Sequence, residues 1–187
     1  FQPSSAGRDA LRAVDDIRTM LQRNDGVPRA FDIKCGVNYG PVTFGLVGYE
    51  ERLELTVMGD SVNIASRIKS ICQLLPCSTL VSGEVIRRYG LETADIRRLG
   101  HFHLRGRQES IDCVEFLGGV DSERRARMNA YRLEFESAID EQDDERIKGL
   151  WKELSLRYPD DALIDYFHAH ANERAPHEHS RFTDLIS

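Results

Sequence analysis

The period of the hydrophobic pattern changes at one place, and that place limits the folds open to the chain. In "LTVMGDSVNIASRIKS", residues 55–70, apolar and polar residues alternate up to Gly59, as on a half-buried strand. From Asp60 onward the period is helical, with Ile64, Ile68, Ile71 and Leu75 on one stripe. A strand that runs into a helix through a Gly-Asp join excludes all-α and all-β folds for this part. Alternation occurs twice more upstream, in Phe31, Ile33, Cys35, Val37 and Tyr39 and again in Val42, Phe44 and Leu46. Gly40-Pro41 turns the chain between them, and "GYEER" forms a polar hairpin tip before Leu53, Leu55 and Val57. A helix capped by Ser4 or Ser5 is expected to carry Leu11, Val14, Ile17 and Leu21, ending at Asn24-Asp25-Gly26 and Pro28. A strand at 79–82, a helix at 83–89 and strands near 96–104 and 111–116 complete an α+β or mixed α/β pattern.

After Val120 the pattern is helical throughout. Met128, Tyr131, Phe135 and Ala138 keep helical spacing, as do Ile147, Trp151, Leu154 and Tyr158. Pro159-Asp160 is expected to start a third helix with Leu163, Tyr166 and Phe167. This helical hairpin plus one helix, 121–172, resembles a single tetratricopeptide-type unit, with no second copy. The tail, 173–187, has no periodicity.

Charge divides the chain at the same joint. Residues 1–120 are balanced, and the whole net charge of -6 lies in 121–187. Without a basic footprint, non-specific nucleic-acid binding is excluded as a function class, and "RRARMNAYR" reads as a helix face. Mean hydropathy is -0.43, and no apolar run approaches the ~18 residues of a membrane span. Cys35, Cys72, Cys77 and Cys113 contain no CxxC pair and read as reduced cysteines of a cytosolic protein, with two surface disulfides as the competing reading. Phe1 rather than Met opens the chain, so a piece of a longer protein is expected. His101 and His103, His168 and His170, and His177 and His179 lack acidic or cysteine ligands at useful spacing, which disfavours zinc.

Asn63 and Arg67 stand four residues apart on the polar face of the helix that follows the join. Packing requires neither, and an ordinary solvated face would account for both. Asp60 or Ser61 is expected to cap this helix, and a helix N-terminus at a strand's end is an arrangement that phosphate sites use.

The neighbourhood decides between these readings. "GVNYGPVTFGLVG", "ERLELTVMGDSVNIASRIKS", "TLVSGEVIRR" and "LGHFHLRGRQESIDCVEF", in that order and spacing, resemble the class III nucleotide cyclase catalytic domain over about Ala6 to Leu117. The resemblance implies an α+β, ferredoxin-like cyclase fold at 1–118 whose first strands lie upstream of Phe1, with the all-α appendage behind it. It implies an adenylate cyclase that converts ATP to cyclic AMP and pyrophosphate by attack of the ribose 3′-hydroxyl on the α-phosphate, at a site between two cyclase domains of a homodimer. Arg67 matches the arginine that stabilises charge on the α-phosphoryl group, and Asn63 the asparagine that positions the ribose. Arg105 falls where the family usually has a lysine for the terminal phosphates. Thr56 falls at the purine-selecting position, as in the bacterial and soluble adenylyl subgroup, some members of which respond to bicarbonate, and Val57 would offer its backbone carbonyl. The family's two Mg²⁺ or Mn²⁺ ions are held by two aspartates that precede the matched region, so this chain is expected to supply no metal ligand and to be inactive alone. A cytoplasmic location, or the cytoplasmic side of a membrane if the full protein is anchored, goes with the family. The competing reading is a non-catalytic cyclase-homology module that binds a nucleotide or a regulatory partner.

Overall fold

The computed structural model describes residues 9–14, 16, 33–49, 52–103, 110–118 and 120–171. Residues 9–14 are helical, and Leu11 is buried. The remaining residues expected in that first helix, Ile17 and Leu21 among them, lie outside the described residues, as does the tail. The first elements are strands β1 (Cys35–Val37), β2 (Thr43–Tyr49) and β3 (Arg52–Met58), followed by helix α1 (Asp60–Leu74). Strand β4 (Thr79–Ser82), helix α2 (Gly83–Tyr89), a short 3₁₀ turn (Thr93–Asp95), β5 (Ile96–His103) and β6 (Ser110–Phe116) come next. Four helices follow among the described residues: α3 (Ser122–Ala130), α4 (Arg132–Asp140), α5 (Asp144–Arg157) and α6 (Ala162–His170).

These elements make an α+β fold. Four strands form one sheet in the order β1-β4-β6-β5, with β1 parallel to β4 and the other pairs antiparallel. Strands β2 and β3 form a separate antiparallel hairpin, with Phe44 opposite Val57, Gly45 opposite Thr56 and Leu46 opposite Leu55. Within the run expected at 31–39, of which residues 33–39 are described, the strand spans Cys35–Val37 and pairs with β4 over those three residues.

The helical region departs from expectation at two boundaries. Met128 to Ala138 is two helices rather than one, broken at Tyr131 (φ -106°, ψ 13°). The Tyr131 ring stacks on Tyr158 at 4.1 Å, and its hydroxyl donates to Asp161. The last helix begins at Ala162 rather than at Pro159-Asp160. Asp161 is its N-cap and accepts from the backbone N–H groups of Leu163 and Ile164, which satisfies donors that a helix start leaves unpaired.

One hydrophobic core runs through both halves of the chain. Ile68, Ile71, Leu80, Leu99 and Phe102 belong to the same buried cluster as Phe135, Trp151, Leu163 and Phe167. Arg97, in β5, ties the halves by charge. Its guanidinium donates to Glu115 of β6 (Nη2 2.5 Å, Nε 2.9 Å) and to Asp161, and it lies 4.9 Å from the centre of the Phe135 ring. All three charged groups are buried. Burial opposes the charge on Arg97, but the carboxylates of Glu115 and Asp161 outweigh it and hold the guanidinium above its ordinary pKa.

Candidate functional site

Helix α1 carries the candidate site, and its placement follows from a few neighbours. Gly59 is the N-cap, with φ 143° and ψ 165°, and the helix has no side-chain cap hydrogen bond. The expected cap at Asp60 or Ser61 is therefore replaced by a backbone turn, in which the Gly59 carbonyl accepts from Val62 (3.1 Å) and Asn63 (3.3 Å). A side chain at Gly59 would be strained at this positive φ and would approach the Pro41 carbonyl at 3.2 Å. Asp60, inside the first turn, still places negative charge where the helix dipole favours it.

Strand β1 and its flanks hold α1 at three points. Asn38 donates to the Ser61 carbonyl at 3.2 Å, at the start of the helix. Lys34 donates to the carbonyls of Leu75 (3.3 Å) and Cys77 (2.7 Å), just past its end. Between them Gly36 lets the strand and helix backbones meet: a Cβ there would lie 2.3 Å from the Lys69 nitrogen and 2.4 Å from the Ala65 oxygen. Lys34, Gly36 and Asn38 share one side of an extended segment by their spacing of two. Reading motifs alone missed this role. The signal was present in the alternation of "KCGVN", where the polar or small member of each pair faces the helix and not water.

On this support α1 buries Ile68, Ile71 and Cys72 and turns Asn63 outward. Asn63 is exposed and Arg67, one turn later, is half-buried. Neither side chain forms a hydrogen bond or ion pair with another described residue. A guanidinium carries five donors, and Asn63 stands one helical turn before it.

Thr56 and Val57 stand in β3, just before the Gly59 turn. Thr56 is half-buried opposite Gly45, on the face that also carries Thr43 and Met58. Val57 is on the other face, opposite Phe44, and is 42% exposed. Chain connectivity thus places Thr56, Asn63 and Arg67 on one strand–turn–helix unit. Arg105 lies outside the described residues, in the 104–109 segment between β5 and β6. Among the described residues no group of three or more His, Cys, Asp or Glu could hold a metal ion.

The β2–β3 hairpin has an uncovered apolar face. Phe44 (65% exposed), Leu46 (64%), Leu53 (57%) and Leu55 (61%) lie on it together with Val57. No helix of the described residues is long and apolar enough to cross a membrane.

Comparison with known proteins gives this unit its context. In three dimensions the chain is similar to a bacterial light-regulated adenylyl cyclase (TM-score 0.46, 23% identity, 68% of this chain and 38% of that one). It is also similar to the adenylyl cyclase CyaB from P. aeruginosa (TM-score 0.44, 25% identity, 63% of this chain and 57% of that one). In sequence it is 32% identical over 110 residues to an adenylate cyclase of Anabaena cylindrica, covering 58% of this chain and 22% of that protein. It is 36% identical over 99 residues to adenylate cyclase 1 of Rhizobium meliloti (strain 1021), covering 53% of this chain and 15% of that protein. The chain thus spans less than a quarter of either curated relative. The family model described as the adenylate and guanylate cyclase catalytic domain matches residues 9–133. That range takes in β1, the β2–β3 hairpin, the Gly59 turn and the whole of α1, so the unit that presents Thr56, Asn63 and Arg67 is a cyclase unit, and the chain belongs to the adenylate and guanylate cyclase catalytic domain family.

Proposed function

We propose that the whole protein is an adenylate cyclase, and that this chain supplies the groups that handle the base, the ribose and the transferred phosphoryl group. The observation that carries the reading is Arg67: a half-buried guanidinium without a described partner, one helical turn from Asn63, inside the matched cyclase region. As the 3′-oxygen bonds to the α-phosphorus and pyrophosphate departs, charge gathers on the non-bridging oxygens. A pre-placed donor there is worth roughly 3 kcal/mol or more, because it needs no reorganisation when the charge appears. Asn63 holds the ribose in line. Thr56 offers its hydroxyl to the adenine edge, and Val57 its backbone carbonyl. Arg105 keeps the positive charge that the terminal phosphates require but presents it as a planar fork.

The site is completed by a second copy. The exposed apolar face of the β2–β3 hairpin is the surface that a partner of the same kind would cover. Two Mg²⁺ or Mn²⁺ ions, which activate the nucleophile and neutralise the leaving group in such chemistry, would be held by aspartates outside this sequence. The residues present act on the remaining parts of the substrate.

Arg67→Ala in the full-length protein tests the reading. Turnover of ATP to cyclic AMP should fall by about 100-fold or more with a smaller change in KM, because the contact strengthens only in the transition state. Near-normal turnover would remove Arg67 from the chemistry. Absence of cyclic AMP formation by the unmutated protein, with nucleotide binding retained, would favour a regulatory cyclase-homology module instead.

A further inference from the structure

Helix α1 ends in a pair of thiols that the site described above does not use. Cys72, in its last turn, and Cys77, just beyond it, place their sulfurs 3.8 Å apart. The Cys72 thiol also donates to the Cys77 carbonyl at 3.5 Å. Both residues are buried, but the turn over them is at the surface: Gln73, Leu74 and Pro76 are exposed. No disulfide joins any of the four cysteines.

The surroundings divide the labour between the two sulfurs. A hydrogen bond from the Cys77 thiol lowers the Cys72 pKa; burial opposes this, and the Lys34 ammonium adds to the lowering. The same hydrogen bond and burial raise the Cys77 pKa. The shared hydrogen bond thus favours ionisation of Cys72 over that of Cys77, the asymmetry that a nucleophile and a resolving thiol use.

We propose that Cys72 and Cys77 form a reversible dithiol–disulfide site that sets the position of α1, with peroxide as the class of oxidant. The Cys72 thiolate attacks one peroxide oxygen and the O–O bond breaks, giving a sulfenic acid and hydroxide, which takes a proton to become water. Cys77 then attacks the sulfenic sulfur; an S–S bond forms, the S–O bond breaks, and hydroxide leaves with the Cys77 proton as a second water. Both sulfurs together lose two electrons, and the peroxide gains them. Closing the gap from 3.8 Å to bonding distance, about 2.05 Å, must draw the 75–77 turn toward the helix end. Lys34 grips the Leu75 and Cys77 carbonyls of that turn, so the movement reaches β1 and α1 together. Arg67 is five residues up the helix, about 7.5 Å along its axis. A displacement of about 1 Å at a catalytic group can cost about 100-fold in rate.

The functional part of this proposal rests on the adenylate cyclase reading; the thiol chemistry does not. The full-length protein is reduced, freed of reductant, treated with hydrogen peroxide, alkylated and digested with trypsin. Peptide Ser70–Arg87 holds both cysteines and no other. It is expected to resist alkylation and to lack two hydrogens, with dithiothreitol restoring both. Full alkylation of that peptide, or overoxidation of either sulfur without a bond between them, would overturn the site. Turnover is expected to fall about tenfold or more on oxidation and to recover on reduction, with Cys72→Ser and Cys77→Ser insensitive to peroxide. A disulfide that forms and leaves turnover unchanged would overturn the link to α1. If the protein makes no cyclic AMP in either state, the cyclase reading fails, and the peptide masses still decide the thiol site.

Discussion

Gly36 of β1 and Lys69 of α1 meet backbone to backbone: a methyl group on Gly36 would come within 2.3 Å of the Lys69 nitrogen. Neither atom belongs to a flexible side chain, so Gly36→Ala must push strand and helix apart. We expect a loss of roughly 1–3 kcal/mol, the usual cost of overpacking, and a drop in turnover larger than the drop in stability implies, since Arg67 rides on the displaced helix. Gly45→Ala is the comparison, because nothing lies within 4 Å of the added carbon there. Equal denaturation midpoints for the two variants would contradict the close approach.

The strand–helix join, the hairpin and the α1 stripe were all legible in the sequence, because each follows from a local period. Asn63 and Arg67 were visible as polar residues with no packing duty, and only the surrounding motifs gave them a chemical meaning. Three things were not legible. The Asp60 or Ser61 cap was replaced by the Gly59 turn, since Gly59 can adopt a φ that releases its carbonyl to two amides. The break at Tyr131 depends on Asp161, 30 residues away, which no local pattern encodes. The Cys72–Cys77 contact depends on how the chain turns after Leu74.

Arg97 is the charge that Glu115 and Asp161 share inside the fold. Removing it leaves two buried carboxylates without their cation, so Arg97→Met is expected to cost roughly 3–5 kcal/mol. Replacing all three groups by apolar ones should recover part of that loss. Chemical denaturation of the single and triple variants separates the two effects; a single variant within 1 kcal/mol of the parent, on the scale of about 0–1 kcal/mol typical of exposed pairs, would show the cluster to be solvated.

The helical segment shares the core of the sheet, so its removal should do more than alter regulation. Deleting residues 121–187 uncovers Leu99 and Phe102, which are buried in the same cluster as Phe135 and Phe167. Each large apolar side chain returned to water forfeits roughly 1.5–3 kcal/mol. The truncated protein is expected to melt well below the parent or to aggregate. An unchanged melting temperature would mean that the two halves are independent.

Phe44, Leu46 and Leu55 are exposed on one face of the hairpin, and the proposed second copy would cover them. Leu46→Asp and Leu55→Asp place charges on opposite strands of that face, where they are solvated in a monomer and stranded in a dimer. Sedimentation at several concentrations should show dissociation. Each single variant should change the monomer's melting temperature little, because both side chains are already exposed. The double variant, which sets two carboxylates opposite each other, should cost the monomer roughly 0.2–1 kcal/mol more. Dimers that persist in the double variant would move the interface elsewhere.

Burial raises the Cys113 thiol from its ordinary 9.0 to about 12, and this fixes a pH dependence. The folded state keeps the proton where the unfolded chain would release it, so the stabilisation is complete below pH 9 and is lost as pH rises toward 12. Tyr131 acts in the same sense: burial raises its pKa, with its hydrogen bond to Asp161 adding to the effect. Stability should therefore fall above pH 9, with Cys113 contributing a slope of up to about 1.4 kcal/mol per pH unit. Cys113→Ala loses some packing at all pH values but should show a shallower alkaline limb. Denaturant midpoints from pH 7 to pH 11 for parent and variant give the two slopes directly, and identical slopes would show that the Cys113 thiol titrates alike in the folded and unfolded chains.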